Sequence, residues 1–218
     1  MSTQTAQPRV TTGRGGSKQR LLETAERMLA EYGIEGVSLR QIGAATGEGN
    51  KSVIQYHFGD KAGLIREIIL RRVETFEARR QQLLAEAAAE GSLADIRTLL
   101  EILFLPLAEA VDADGRHGYA RFMAQFITRF QYQDGIAHPG WAPGSAATRA
   151  VTLLAEQLPF LTPPALRARI NGVSALFLGA LAERDAAVVR GENIASEPPF
   201  LSDLFNVMAA AMKTPPPA

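Results

Sequence analysis

The stretch SLRQIGAATGEGNKSVIQYHFGDKAGL, residues 38–64, holds three helix starts and two glycine stops. Ser38 can accept from the backbone of a first turn, and Gln41 three residues later completes a capping box. Val37 before the cap and Ile42 after it have the spacing of a hydrophobic staple. Gly47 ends this short helix, GEGN turns the chain, and Asn50 caps a second short helix from Lys51 to His57, which Gly59 breaks. Asp60 then caps a long helix carrying Leu64, Ile65, Ile68, Ile69, Val73 and Phe76, which continues in good helix formers to Glu90 before Gly91. Two short helices across a tight glycine turn, followed by a long one, describe a helix-turn-helix module. They equally describe a helical corner with no function.

Outward from that stretch the pattern stays helical. Leu21, Leu22, Ala25, Met28, Leu29 and Tyr32 share one face of an earlier helix that ends at Gly33. Downstream the spacing predicts helices over Ser92–Val111, kinked at Pro106, and over Tyr119–Tyr132. Others follow over Ser145–Leu158, from Pro163 to about Arg190, and over Leu201–Lys213. No sustained alternation of apolar and polar residues marks a strand. The fold class is therefore all-α, with an N-terminal three-helix helix-turn-helix domain and a larger helical bundle. The expected organisation is a disordered basic arm over 1–16, a helix-turn-helix domain over 17–77 and a second domain over 78–218.

With 46% hydrophobic and 21% charged residues, the 218-residue chain is not disordered throughout. Basic and acidic residues number 23 each, so overall charge argues for no particular partner. Locally, residues 1–61 carry a net +2 and residues 62–218 a net −2, which turns the N-terminal end toward anions. The absence of cysteine excludes disulfides, thiol nucleophiles and cysteine-ligated zinc. The three histidines are far apart, so no metal site and no cofactor is expected. GEGNKS lacks the glycine that a phosphate-binding loop needs before Lys51. No nucleophile motif is present, and an enzyme is not expected. The start lacks an apolar core of signal-peptide length, and Leu99–Val111 is too short and too interrupted to span a bilayer, so a cytoplasmic protein with no membrane partner is expected.

The second short helix concentrates hydrogen-bonding chemistry. Ser52, Gln55, Tyr56 and His57 fall on or near its polar side, Val53, Ile54 and Phe58 offer anchors, and Lys61 opens the next helix. Such groups donate to phosphate oxygens. LLETAERMLAEYGIEGVSLRQIGAATG followed by SVIQYHFGDKAGL resembles the N-terminal domain of the TetR family of bacterial regulators. The resemblance rests on Tyr56-His57-Phe58, Lys61, Leu64, Ala25, Gly33, Ser38, Ile42, Ala45 and Gly47, and covers roughly a quarter of the chain. It implies a homodimer whose third helix enters the DNA major groove, with Ser38, Tyr56, His57 and Lys61 on phosphates and Lys51, Ser52, Val53 and Gln55 facing the groove. Gln41 and Asn50, at the two helix starts, complete the DNA-binding set. Two departures stand out: the segment GEGNKSVIQYHF is one residue longer than the common pattern, and Gln55 stands where an aromatic is frequent.

Several residues carry two readings. His57 serves either packing or a phosphate. Phe122, Phe126, Phe130, His138 and Trp141 line a ligand cavity or form plain core. Phe177, Leu181, Val188, Leu204, Phe205 and Met208 belong to apolar stripes that form either a dimer interface or the protomer's own core. The leading expectation is a DNA-binding transcriptional regulator, a repressor released by a small-molecule effector in the C-terminal domain. The alternatives are an all-helical carrier or enzyme that uses the corner as scaffold, and a helical assembly protein.

Overall fold

A computed structural model describes residues 14–47, 51–127 and 142–216, and the regular structure among them is helical throughout. The helices are α1 (Arg14–Tyr32), α2 (Leu39–Ala45), α3 (Lys51–Phe58), α4 (Lys61–Glu90), α5 (Ile96–Ala108) and α6 (Gly118–Gln125), then α7 (Ala146–Gln157), α8 (Pro163–Val189) and α9 (Glu197–Lys213). Local chemistry sets most boundaries. Ser38 and Gln41 form the full capping box, Asp60 accepts from the Gly63 N–H, and Gly91 closes α4 with a left-handed φ of +71°.

Three helix starts differ from the sequence reading by three residues or more, and local contacts explain two of them. α1 begins at Arg14, so part of the expected 1–16 arm is helical, while residues 1–13 lie outside the described residues. α5 starts at Ile96 rather than Ser92 because Ser92 is engaged in closing α4, donating from N (2.9 Å) and Oγ (3.3 Å) to the Ala87 carbonyl. Asp95 caps α5 instead. α9 starts at Glu197, four residues early, because Pro198 and Pro199 occupy its first turn, where a missing N–H breaks no helical bond.

The N-terminal core gathers Leu21, Ala25, Leu29, Ile42, Leu64 and Ile65, all fully enclosed. Tyr32, expected on that face, is instead 60% exposed. α4 belongs to both halves of the molecule: Leu64, Ile65, Ile68 and Ile69 lie near its start, and Phe76, Leu84 and Ala87 are buried further along, where it packs on α5 and α7. At 30 residues α4 is about 45 Å long. α1 makes its most extensive packing not within the helix-turn-helix but against α6.

The bundle corrects two assignments. Phe177, Leu181, Leu204, Phe205 and Met208 are buried inside a single protomer, so they are core and not a dimer face. Phe177 explains why: its ring lies 5.3 Å from Phe104 and 5.6 Å from Phe205, enclosed by its own chain. Only Val188 of that set is exposed. Phe122 and Phe126 are likewise fully enclosed, with Phe122 5.9 Å from the Tyr119 ring, and neither borders the groove between α1, α6 and α8. Phe130, His138 and Trp141 lie outside the described residues.

Buried polar groups lock the helices together. The Arg80 guanidinium donates twice to the Leu103 carbonyl, next to the ladder break at Pro106, and burial lowers its pKa. The Tyr119 phenol is pushed up, first by burial and then by Glu26, which keeps it neutral. At the start of α6, where His117 caps without a side-chain bond of its own, Asp185 from α8 accepts from the His117 N–H (2.7 Å) and lies 2.8 Å from its Nδ1. Both side chains are nearly inaccessible. Asp185→Ala strands two buried donors, and unfolding in urea is expected to show a loss of about 2–4 kcal/mol. A loss within experimental error would remove this pair from the account of the bundle's stability.

Candidate nucleic-acid interface

The ridge formed by α2, α3 and the start of α4 presents polar side chains outward over an apolar base. Phe58 anchors it, buried in the core with the Lys18 ammonium 5.8 Å above its ring. Two residues earlier Tyr56 is 85% exposed, the most open large hydrophobic side chain among the described residues. One turn of a helix thus points the first aromatic of Tyr56-His57-Phe58 out and the last one in. His57 is half-buried between them, its ring 5.3 Å from Tyr56 and 5.9 Å from Phe58, with no hydrogen-bond partner among the described residues. Its packing is visible, and its ring nitrogens stay available.

Gln55 is exposed, and Lys61, the first residue of α4, is half-buried with no acidic partner among the described residues. Asp60 is committed to its own helix, accepting from Gly63 N at 2.8 Å, and so is not a free charge on the ridge. Ser38 and Gln41 are exposed and bonded to each other: Gln41 Oε1 accepts from Ser38 N (2.8 Å) and Oγ (2.7 Å), and Ser38 Oγ accepts from Gln41 N (3.3 Å). The box fixes the entry to α2 and leaves the Gln41 side-chain amide N–H groups free to donate. Arg40, between them, is exposed and unpaired among the described residues. Sequence reasoning missed it, although a lone basic residue beside a capping box was the available signal. Asn50 and the side chains of Lys51, Ser52 and Val53 lie outside the described residues.

Behind the ridge, α1 is held from two directions. Lys18, Glu23 and Glu26 pair with Glu67, Arg71 and Arg72 of α4 at 2.6, 2.7 and 2.5 Å. At its C-terminal end Gln125 of α6 accepts from the Ile34 N–H (3.0 Å) and donates to the Ala30 carbonyl (3.3 Å). Gly33 turns between those two groups with φ +88°, and a Cβ there would stand 3.2 Å from Gln125 Oε1. Arg72 also lies 5.4 Å from the Tyr119 ring of α6. The module that carries the ridge is therefore bonded directly to the bundle.

The family-model match falls on the segment that carries this ridge. Residues 21–68 match the family model described as bacterial regulatory proteins, tetR family. The HTH-type transcriptional repressor AcnR of Corynebacterium glutamicum is 38% identical over 86 residues, which cover 39% of this chain and 41% of that protein. AcnR of Corynebacterium efficiens is 43% identical over 63 residues, 27% of this chain and 33% of that protein. The chain thus spans less than half the length of the curated relatives it matches. Among solved structures, one described as the molecular basis for control of antibiotic production by bacterial hormones aligns with a TM-score of 0.49 at 20% identity, covering 90% of this chain and 97% of that one. The TetR family transcriptional regulator PfmR of Thermus thermophilus aligns with a TM-score of 0.41 at 20% identity, covering 93% and 95%. Over residues 21–68 the chain is thus similar to the tetR family of bacterial regulatory proteins.

Proposed function

We propose that this protein is a sequence-specific DNA-binding transcriptional repressor, released by a small molecule bound in its C-terminal domain. The observation that carries the reading is Tyr56, almost bare beside Gln55 and Lys61, while Phe58 in the same turn is sunk in the core. Tyr56, His57, Lys61, Ser38 and Arg40 are assigned to phosphate oxygens, with Gln41 donating from its side-chain amide. Gln55 is assigned to a base edge together with Lys51, Ser52, Val53 and Asn50 at the start of the reading helix. Glutamine matches the N6/N7 face of adenine. The similarity to AcnR, a transcriptional repressor, supports the direction of regulation.

The domain division proposed is a DNA-binding unit from α1 through the first part of α4, to about residue 77, and an effector and dimerisation unit beyond it. Gln125 supports a coupling between the two, because a ligand that displaces α6 must also displace the end of α1. The ligand need only favour the conformer that binds DNA less well, and DNA then weakens the ligand equally. A homodimer would set two reading helices about 34–36 Å apart along one side of the duplex. The exposed side of α8 at Leu176 and of α9 at Val207 is assigned to that contact, since the inner stripes are already filled.

Anisotropy titrations against duplexes from the DNA flanking the protein's own gene test these assignments. Lys61→Ala is expected to weaken binding to every sequence and to reduce the slope of log K against log salt by about one. Tyr56→Ala is expected to weaken all sequences alike, whereas Gln55→Ala should narrow the gap between preferred and scrambled duplexes by about 1–3 kcal/mol. Unchanged affinity in all three variants would refute the residue assignment. Sedimentation of Leu176→Asp should show monomer where the parent is a dimer. A dimer persisting in that variant would move the interface elsewhere.

A further inference from the structure

Of the described histidines, His117 alone is closed off from solvent, at 1% exposure, and its two ring nitrogens meet different surroundings. Nδ1 lies 2.8 Å from Asp185 Oδ1, too close for a bare nitrogen to face a carboxylate oxygen, so Nδ1 carries a proton and donates. Nε2 is buried without a hydrogen-bond partner, with Glu197 Oε2 3.8 Å away. That distance is too long for a hydrogen bond, and a buried nitrogen with no partner is unfavourable. A second proton, on Nε2, would turn two facing acceptors into a donor and an acceptor.

Glu197 is the first residue of α9, and its partly exposed side chain can turn toward the ring or toward water. Its backbone is already placed from α8: Arg184 donates to the Ala195 carbonyl (2.7 Å) and lies 5.1 Å from the Phe200 ring. Ser196, which caps α9, makes no side-chain bond of its own. The other charged groups on the surrounding elements are largely committed to one another. Before α6, Arg116 faces both Asp112 and Asp114, and at the end of α8 Arg190 faces both Glu183 and Glu192. Glu26 of α1 is paired with Arg72 of α4, and Glu109 at the end of α5 with Arg79. Arg27 of α1 and Arg121 of α6 line the same groove as Asp185.

From this we infer that His117 is a proton-operated joint between α6, α8 and α9. With both ring nitrogens protonated, the imidazolium donates to Asp185 and, after a small rotation of its side chain, to Glu197 as well. With one proton, Nδ1 keeps Asp185, Nε2 presents a lone pair to a carboxylate, and Glu197 turns to water. The proton comes from solvent and returns to it past the exposed side of Glu197. The bond between α6 and α8 is thus kept in both states, and the first turn of α9 is what the joint holds or releases. Histidine is the side chain whose charge ordinarily changes between about pH 5 and 8, so the joint works in that range. It does not depend on the DNA-binding reading.

Thermal melting of the full chain at about pH 5.5 and about pH 8, with Glu197→Ala and Glu197→Gln alongside, tests the joint. The contact needs the second proton, so its stabilisation is present at the acid end and lost as the pH rises. The gap in melting temperature between the parent and Glu197→Ala should therefore be wider at the lower pH by about 2–4 °C. Whatever the Glu197 charge contributes to the start of α9 acts at both pH values and cancels from that comparison. A glutamine amide donates to the bare nitrogen or accepts from the protonated one, so the gap between Glu197→Gln and Glu197→Ala should not change with pH. Nitrogen-15 NMR of the ring should show Nδ1–H at both pH values and Nε2–H only at the lower one. A parent–alanine gap that is the same at both values, or a ring whose protonation does not change between them, would overturn the inference. So would a glutamine–alanine gap that widens at the lower pH as the parent's does, since Nε2–H would then not be what distinguishes the two states.

Discussion

Gln125 joins the two halves of this molecule at one point. Its side-chain amide satisfies an acceptor and a donor at the end of α1, Ala30 O and Ile34 N, across 95 and 91 residues of sequence. Those backbone groups have no partner within the helix ladder, and a buried helix end left unmatched is unfavourable by more than an ordinary hydrogen bond contributes. The bond therefore does more than stabilise. It makes the position of α1, and with it α2 and α3, depend on where α6 lies. The α1–α4 ion pairs then tie that placement to the ridge, because α4 begins in it.

The same requirement governs α6 at its other end. Asp185 of α8 meets the His117 N–H and ring nitrogen, and the His117 Nε2 lies 3.8 Å from Glu197 in the first turn of α9. α6 thus has its start bonded to α8 and Gln125, further along it, bonded to α1. α6 is the element best placed to respond to something bound beside it, and the groove next to it opens toward both α1 and α8.

What could be read from the sequence was chemistry that acts over three or four residues. The Ser38–Gln41 box, the Asp60 cap, the Gly91 stop and the outward Tyr56 with the inward Phe58 follow from local spacing. All appear in the structure. Periodicity, however, says only that a face is apolar and not what covers it. Phe177 and Met208 therefore read equally well as partner contact or as core, and the packing of Phe104 and Phe205 on Phe177 decides for core. Nor could spacing reveal Gln125 on Ile34 or Asp185 on His117, since each pairing exists only once distant helices are docked. Arg40 was legible in principle, as an unpaired cation next to a capping box.

The central claim is that this chain grips duplex DNA through one outward ridge whose placement is set by α6. Amide hydrogen exchange with and without an operator duplex tests it most directly. The account predicts slowed exchange across residues 38–61, extending to the end of α1 around Ile34, with the interior of α7 and α9 unchanged. Slowing confined to the bundle, or no slowing at any ridge amide when the duplex is bound, would contradict it.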